Sequence, residues 1–379
     1  MTSADAVVIG GGVIGASVAY HLAGKGMRHV VVLERDRLGS GSTAKNAGGI
    51  RLQFSSEINV RLSLRSLPRF ERFEDEFGVD IAFRQAGYLF LITETGDAAA
   101  FERSLALWER LEVPARRVER PEIAEIFPEL VTEDVLFGTF CAKDGHADPH
   151  SILRGFVARG RERGVEFREG SPARGIEVSG GRVVAVRGGD ERIETGVVID
   201  AAGPWGAGVA KLAGVDLPIA PLRRHIFVTQ RVPGFDREIP LTIEFATGLY
   251  MHRESGGVLL GMGDPKDGPG FDDSVNWDFL PEIVGRALAR LPILERTSVR
   301  TGWAGFYEDT PDKHPVLGPA GPDGFYAAAG FSGHGVMHAP AAGELLAELV
   351  CDGRASLDLR PFRASRFAEG DVVPEHNVI

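Results

Sequence analysis

Three glycines spaced G-x-G-x-x-G, Gly10, Gly12 and Gly15, follow directly on the apolar run Val7-Val8-Ile9, and an acid, Glu34, stands 19 residues beyond the last of them. This is the pattern of a turn that holds a dinucleotide by its pyrophosphate. Gly10 permits the tight turn, Gly12 lets the backbone approach the phosphates, and Gly15 lets helix and strand pack closely. Val13 and Ile14 open a helix whose free N–H groups and positive dipole end face the phosphates. Glu34 is placed to accept hydrogen bonds from the adenosine ribose hydroxyls, and its charge disfavours a 2′-phosphate. The spacing does not separate FAD from NAD.

Two further stretches carry groups that could touch a ligand. From Arg35 to Arg51 the chain is too rich in Gly, Ser and Thr for a regular element and reads as a close-contact loop with many N–H and hydroxyl donors. Near the other end, Phe325–Ala329 is strand-like, 330–335 is a glycine loop, and Ala341, Ala342, Leu345, Leu346 and Leu349 define an amphipathic helix. Pro340 is expected in the first turn of that helix, where its missing N–H costs little. His334 in the glycine loop is a candidate for a hydrogen bond beside the ligand. The run Gly330-Phe331-Ser332-Gly333-His334 departs from a hydrolase nucleophile elbow at its fifth position. His334 and His338 are four apart, but Gly335 stands where the glutamate of H-E-x-x-H would be, so no metal site is expected.

The elements that must position these groups begin with a βαβ unit. Its first strand is Val7–Ile9, its helix carries Ala16, Ala19, Tyr20, Leu22 and Ala23 and ends at Gly24 and Gly26, and its second strand runs from His29 to Leu33. A chain of 379 residues predicts two packed lobes, and 44% apolar with 25% charged residues is the composition of a globular protein. The formal charge of −11 argues against nucleic-acid or anionic-membrane partners. Cys141 and Cys351 suggest neither a disulfide framework nor structural zinc. The first apolar run lacks the basic flank of a signal peptide, and the one after Phe325 is interrupted by Gly330, His334, His338 and Pro340. A cytoplasmic enzyme without a membrane span is the expectation.

Four segments together resemble the D-amino-acid-oxidase-type (DAO) FAD-dependent oxidoreductases, in the branch of sarcosine oxidases, dimethylglycine dehydrogenases and the proline dehydrogenase β subunit. They are the loop from Arg35 to Arg51, the strand and turn Val197–Trp205, the stretch Arg300–Gly318 and the closing Gly324–Gly335. The resemblance covers nearly the whole chain. It implies an α/β fold with an α+β second lobe: a Rossmann-type FAD-binding domain over 1–83, 142–217 and 301–379, and a discontinuous mixed-sheet substrate domain over 84–141 and 218–300. Strand-like alternation at Gly87–Ile92 and Ile226–Thr229 falls in the second. FAD contacts are implied at Gly10, Gly12, Val13, Ile14, Gly15, Glu34, Arg35, Ser42, Thr43, Lys45, Asn46, Ala47, Gly48, Gly49, Ala173, Ala202, Gly203, Trp205, Gly330, Gly333, His334, Gly335, Val336 and Met337.

In sarcosine oxidases an arginine at the place of Arg51 holds the substrate carboxylate, a pairing that guanidinium makes bidentately. Tyr250 and Tyr307 are the next substrate-binding candidates. Departures from the family pattern narrow the reading. Tyr307 stands where glycine and D-amino-acid oxidases carry an arginine. Gly305 stands where monomeric sarcosine oxidase attaches its flavin through cysteine, which implies non-covalent FAD. No lysine occurs in Gly257–Gly261, where that enzyme activates oxygen, which favours a dehydrogenase passing electrons to a protein or quinone. The implied activity is oxidation of the C–N bond of a small secondary or tertiary amino acid of the sarcosine, dimethylglycine or proline type, by hydride transfer to flavin N5 and hydrolysis of the imine. His334 is the one catalytic candidate. The alternative is a flavoprotein subunit of a hetero-oligomer, or an assembly factor, without small-amine turnover of its own.

Overall fold

The computed structural model describes residues 2–378. Ala6–Ile9 and Val30–Leu33 are buried on both faces, as befits inner strands of a parallel sheet covered on both sides. They pair in parallel through the crossover helix Val13–Gly24. The sheet is extended by Val198–Asp200 and Phe325–Ala329 on one side and Glu166–Arg168 on the other, all parallel, with Val316–Pro319 antiparallel at the edge. A separate four-stranded sheet is made mostly by the strands between Ala173 and Glu194.

The long helix Gly335–Asp352 packs against the crossover helix, and closely: a Cβ on Gly343 would lie 2.3 Å from Ser17 Oγ. This helix begins earlier than its sequence suggests. Pro340 lies in the second turn, buried, instead of the first. Side chains from neighbouring helices service the backbone around the missing N–H: Ser17 Oγ donates to the Ala339 carbonyl at 2.7 Å, and Ser66 Oγ accepts from the Ala341 N–H at 3.2 Å.

The second layer is an eight-stranded mixed sheet in the order 299–309, 220–229, 257–262, 249–254, 241–244, 88–92, 137–141, 115–118. Its strand Val299–Asp309 pairs with Ala220–Thr229, with a register shift between Val228 and Thr229 that leaves Arg300 out of the ladder, next to the expected domain boundary between 300 and 301. Across this sheet the register aligns Ile226, Gly261, Tyr250 and Ile243 in one row. Since alternate residues share a face, that row points one way, towards the parallel sheet.

The final segment returns to the body of the protein. Arg366 and Asp312, both almost fully buried, form a bidentate pair at 2.7 and 3.0 Å, and Arg366 also donates to the His314 carbonyl. From that anchor residues 371–378 run back over Ser55 and Ser56.

Candidate active site

Between the two sheets lies an elongated cavity of about 900 Å³. One end is the glycine turn. Gly10 has φ +114°, and a Cβ there would strike the Ala201 carbonyl at 2.3 Å, so only glycine fits. A Cβ on Gly12 would approach Thr43 Oγ1 at 3.2 Å and project into the cavity wall. Thr43 Oγ1 accepts the Val13 N–H at 3.1 Å, which ties the 42–45 turn to the start of the crossover helix. Glu34 is held by two backbone donors, Gly11 N–H at 2.8 Å and Asp36 N–H at 2.9 Å.

All but three of the expected cofactor contacts lie on the wall of this cavity; Gly15, Gly48 and Gly330 do not. Each of the three answers to packing or backbone conformation. A Cβ on Gly15 would sit 2.0 Å from the Gly10 carbonyl, and one on Gly48 (φ +75°) 2.0 Å from the Ala147 carbonyl. Gly330 has φ +81° and faces Thr310.

At the far end the eight-stranded sheet supplies the wall. The Tyr250 ring lies so close over Gly261 that a Cβ there would fall 2.0 Å from Cζ. Tyr307 covers Gly333 in the same manner. Arg51, buried at 6% exposure, donates to the carbonyls of Gln53 and Asn377, both at 2.5 Å, and its guanidinium stacks 3.9 Å from the Phe54 ring. No carboxylate oxygen lies within 4 Å of it among the described residues. Burial lowers the pKa of its guanidinium, opposed by Tyr88, Glu375 and Asp144. Burial raises the Tyr250 and Tyr307 hydroxyls, so both are neutral donors at physiological pH.

His334 is 2% exposed, lines the cavity and has no hydrogen-bond partner on either ring nitrogen among the described residues. Burial first, then the neighbouring His338 and Arg51, holds it well below the ordinary histidine value, so it is neutral. Glu308 is also on the wall; its carboxyl, pushed up to about 7 by burial, accepts the Gly330 N–H at 3.1 Å. Neighbouring Asp200 is pushed up to about 8 by burial.

Several wall residues had no sequence signal strong enough to single them out. Arg224 and Ile226 share the cavity face of one strand, which alternation along Ala220–Thr229 could have indicated. Phe271 and Asp273 come from the irregular stretch after Asp264, where Phe271 stacks on Trp205 and Asp273 pairs with Lys45. Val378 reaches the wall because residues 375–378 are strapped down.

The strap turns on Glu375, 3% exposed, whose carboxylate accepts both N–H and Oγ of Ser55 and of Ser56, and Nδ2 of Asn59. Burial pushes its carboxyl up, but the bonds from Ser55 and Ser56 outweigh it and hold Glu375 below the ordinary glutamate value. Replacing Glu375 with alanine leaves these donors buried without an acceptor and should cost about 2–4 kcal/mol, measurable by thermal unfolding. The depressed pKa fixes the sign with pH: the contribution is present above the unfolded glutamate value of about 4.3 and is lost as pH falls through the lower folded value. A wild-type and E375A pair with equal stability at neutral pH would contradict this role.

The cavity fits FAD on the structure's own terms. Its length joins a glycine turn, where Gly10 admits no side chain, to a region with polar atoms that lack partners among the described residues, both ring nitrogens of His334 and Nε of Arg224. Glu34 sits where a ribose would be met, and Gly333–Met337 open a second helix towards the same space.

Comparison with known proteins agrees. The family described as FAD dependent oxidoreductase (DAO) matches residues 5–349. FAD-dependent oxidoreductase domain-containing protein 1 of Xenopus laevis is 34% identical, over 99% of this chain and 85% of its own. Mitochondrial dimethylglycine dehydrogenase of Rattus norvegicus is 29% identical over 97% of this chain, which spans 45% of that protein. Among solved structures, L-proline dehydrogenase from P. horikoshii superposes with a TM-score of 0.92 at 32% identity, covering 98% of this chain and all of the other.

Proposed function

This chain belongs to the DAO family of FAD-dependent oxidoreductases, and from that premise we propose that it oxidises the C–N bond of a small secondary or tertiary amino acid. The observation that carries the reading is Arg51, a buried guanidinium on the cavity wall, steadied by two backbone carbonyls and without a carboxylate of its own. An uncompensated buried cation is costly unless a ligand brings the counter-charge. Relatives named for proline and dimethylglycine support an amino-acid substrate with a substituted nitrogen.

Bound FAD supplies a two-electron acceptor for a hydride equivalent from the carbon beside the amine. The chain's own residues do the rest. Arg51 grips the carboxylate and so sets which C–H bond faces the cofactor space. Tyr250, Ile226 and Ile243 form a largely apolar wall that favours the unprotonated amine. The start of the helix Gly335–Asp352 presents its positive dipole end to the cavity and favours negative charge there. Neutral His334 offers one donor and one acceptor to whatever lies against it. Loss of a hydride, two electrons with one proton, from the neutral amine leaves an iminium ion, which a secondary amine can convert to the imine by giving up its N–H proton. Water adds to the C=N carbon, and C–N cleavage yields a carbonyl group and an amine, on one molecule where the amine was a ring.

The flavin is held without a covalent bond in this reading, since Gly305 offers no nucleophile and lies against Lys45. Acid precipitation should leave the flavin in the supernatant; a yellow pellet would contradict it. The absence of lysine from the strand Gly257–Met262 supports a dehydrogenase whose electrons pass to a protein or quinone. No helix among the described residues is long and apolar enough to cross a membrane. The functional test is turnover with an artificial electron acceptor, with the products identified by mass spectrometry. A carbonyl compound and an amine are expected, with the carboxylate on whichever fragment kept the α-carbon, or both groups on one molecule for a cyclic amine. A holoprotein that converts no amino acid, yet co-purifies with a partner that does, would replace this reading with that of a flavoprotein subunit or assembly factor.

A further inference from the structure

A second guanidinium faces the same cavity. Arg223 and Arg224 are adjacent on the strand Ala220–Thr229, but their side chains have different fates. Arg223 points away from the cavity and is neutralised by Asp267, at 2.5 and 2.8 Å, and by Asp272 at 2.7 Å. Arg224 lines the cavity and, among the described residues, has no carboxylate oxygen within 4 Å. Its one hydrogen bond among them goes to the Arg223 carbonyl at 3.1 Å, and its Nε is buried with no partner. The group lies flat: a Cβ on Gly263 would come within 3.0 Å of its Cζ, and the Tyr307 ring centroid is 4.8 Å from it.

Tyr307 packs on Arg224 and is within electrostatic range of Arg51 as well. Its hydroxyl feels both Arg224 and Arg51, whereas Tyr88 feels Arg51 and Tyr250 feels Arg224. Arg51 stacks on Phe54 and Arg224 on Tyr307, so the two cations are held by different walls. A neutral amine with one carboxylate carries one negative charge and would leave one of the two cavity guanidiniums without a counter-charge. An amine with two carboxylates balances both.

We propose that the substrate is a secondary or tertiary amine bearing two carboxylates, one held by Arg51 and the other by Arg224. This rests on the reading of Arg51 as a carboxylate anchor and adds Arg224 as the residue that sets specificity.

The test measures binding, separately from turnover, with carboxylates that have no C–N bond to oxidise. Malonate, succinate and glutarate are compared by calorimetry with propionate, butyrate and pentanoate, on the FAD-loaded protein. The best dicarboxylate should bind about 10- to 100-fold more tightly than the monocarboxylate of equal length, the worth of one added charge-assisted pair. In Arg224→Gln that ratio should fall to near one, and in Arg224→Lys it should be intermediate, with flavin content and melting temperature recorded for each variant. Equal binding of the two series in the wild type, or equal weakening of both in R224Q, would overturn the second-carboxylate inference and leave Arg51 as the anchor. Binding of neither series would overturn both.

Discussion

Replacing Arg51 with methionine should lower kcat/KM for the amino-acid substrate by about 100- to 10,000-fold, most of it as a rise in KM. Two charge-assisted hydrogen bonds are lost, each worth about 1.5–3 kcal/mol, and the substrate carboxylate is left in a site that water reaches poorly. The guanidinium is steadied by the carbonyls of Gln53 and Asn377, so it meets the ligand already oriented. Methionine keeps the volume and the contact with Phe54, which separates loss of charge from collapse of the wall. Saturation kinetics with the same KM in R51M would remove Arg51 from the carboxylate role. A fall in kcat with KM unchanged would place its effect in the transition state instead of in binding.

The Gly12→Val variant is expected to fold and to be isolated colourless. The φ of Gly12 is −78°, so a side chain causes no backbone strain, and its Cβ would meet only Thr43 Oγ1, at 3.2 Å. The branched side chain would instead fill the space through which the backbone approaches the pyrophosphate. Affinity for FAD should fall by about 100-fold or more, the order expected when close phosphate contacts to backbone N–H groups are lost. Gly10 makes the contrasting case. With φ +114° and the Ala201 carbonyl 2.3 Å from any Cβ, substitution there should destabilise the whole sheet, not the cofactor site alone. G12V with full flavin content and an unchanged melting temperature would contradict the cradle.

The phosphate end of the site was legible because its signal is local. Strand, glycines, helix, strand and acid follow one another within 34 residues, and the structure brings Gly10, Gly12, Val13 and Glu34 to one wall. The closing segment was legible for the same reason, although Pro340 misled by a turn, because Ser17 and Ser66 from distant helices make a proline tolerable in the second turn. Gly48 and Gly330 show a limit of a different kind. A glycine required by positive φ or by a carbonyl 2.0 Å away looks the same in sequence as one that makes room for a ligand.

The substrate end was legible only in part. Arg51 follows directly on the glycine loop, so its position came with the loop. Arg224 reaches the cavity through the register of an eight-stranded sheet, and Val378 through a strap of Glu375 and Asn377 onto Ser55, Ser56 and Arg51. The strap contacts link residues more than 300 positions apart in segments without periodic pattern, and no local signal encodes them, whereas alternation along Ala220–Thr229 marks the face of Arg224 but not the wall that it meets.

The most direct test of C–N bond oxidation is anaerobic bleaching of the purified protein's flavin absorbance by sarcosine, dimethylglycine, L-proline and their N-carboxyalkyl counterparts, with glycine and D-alanine as primary-amine controls. Complete bleaching by a secondary or tertiary amino acid, and its loss in R51M at the same concentration, is the predicted result. A yellow protein that none of these reduces, though dithionite does, would contradict the account.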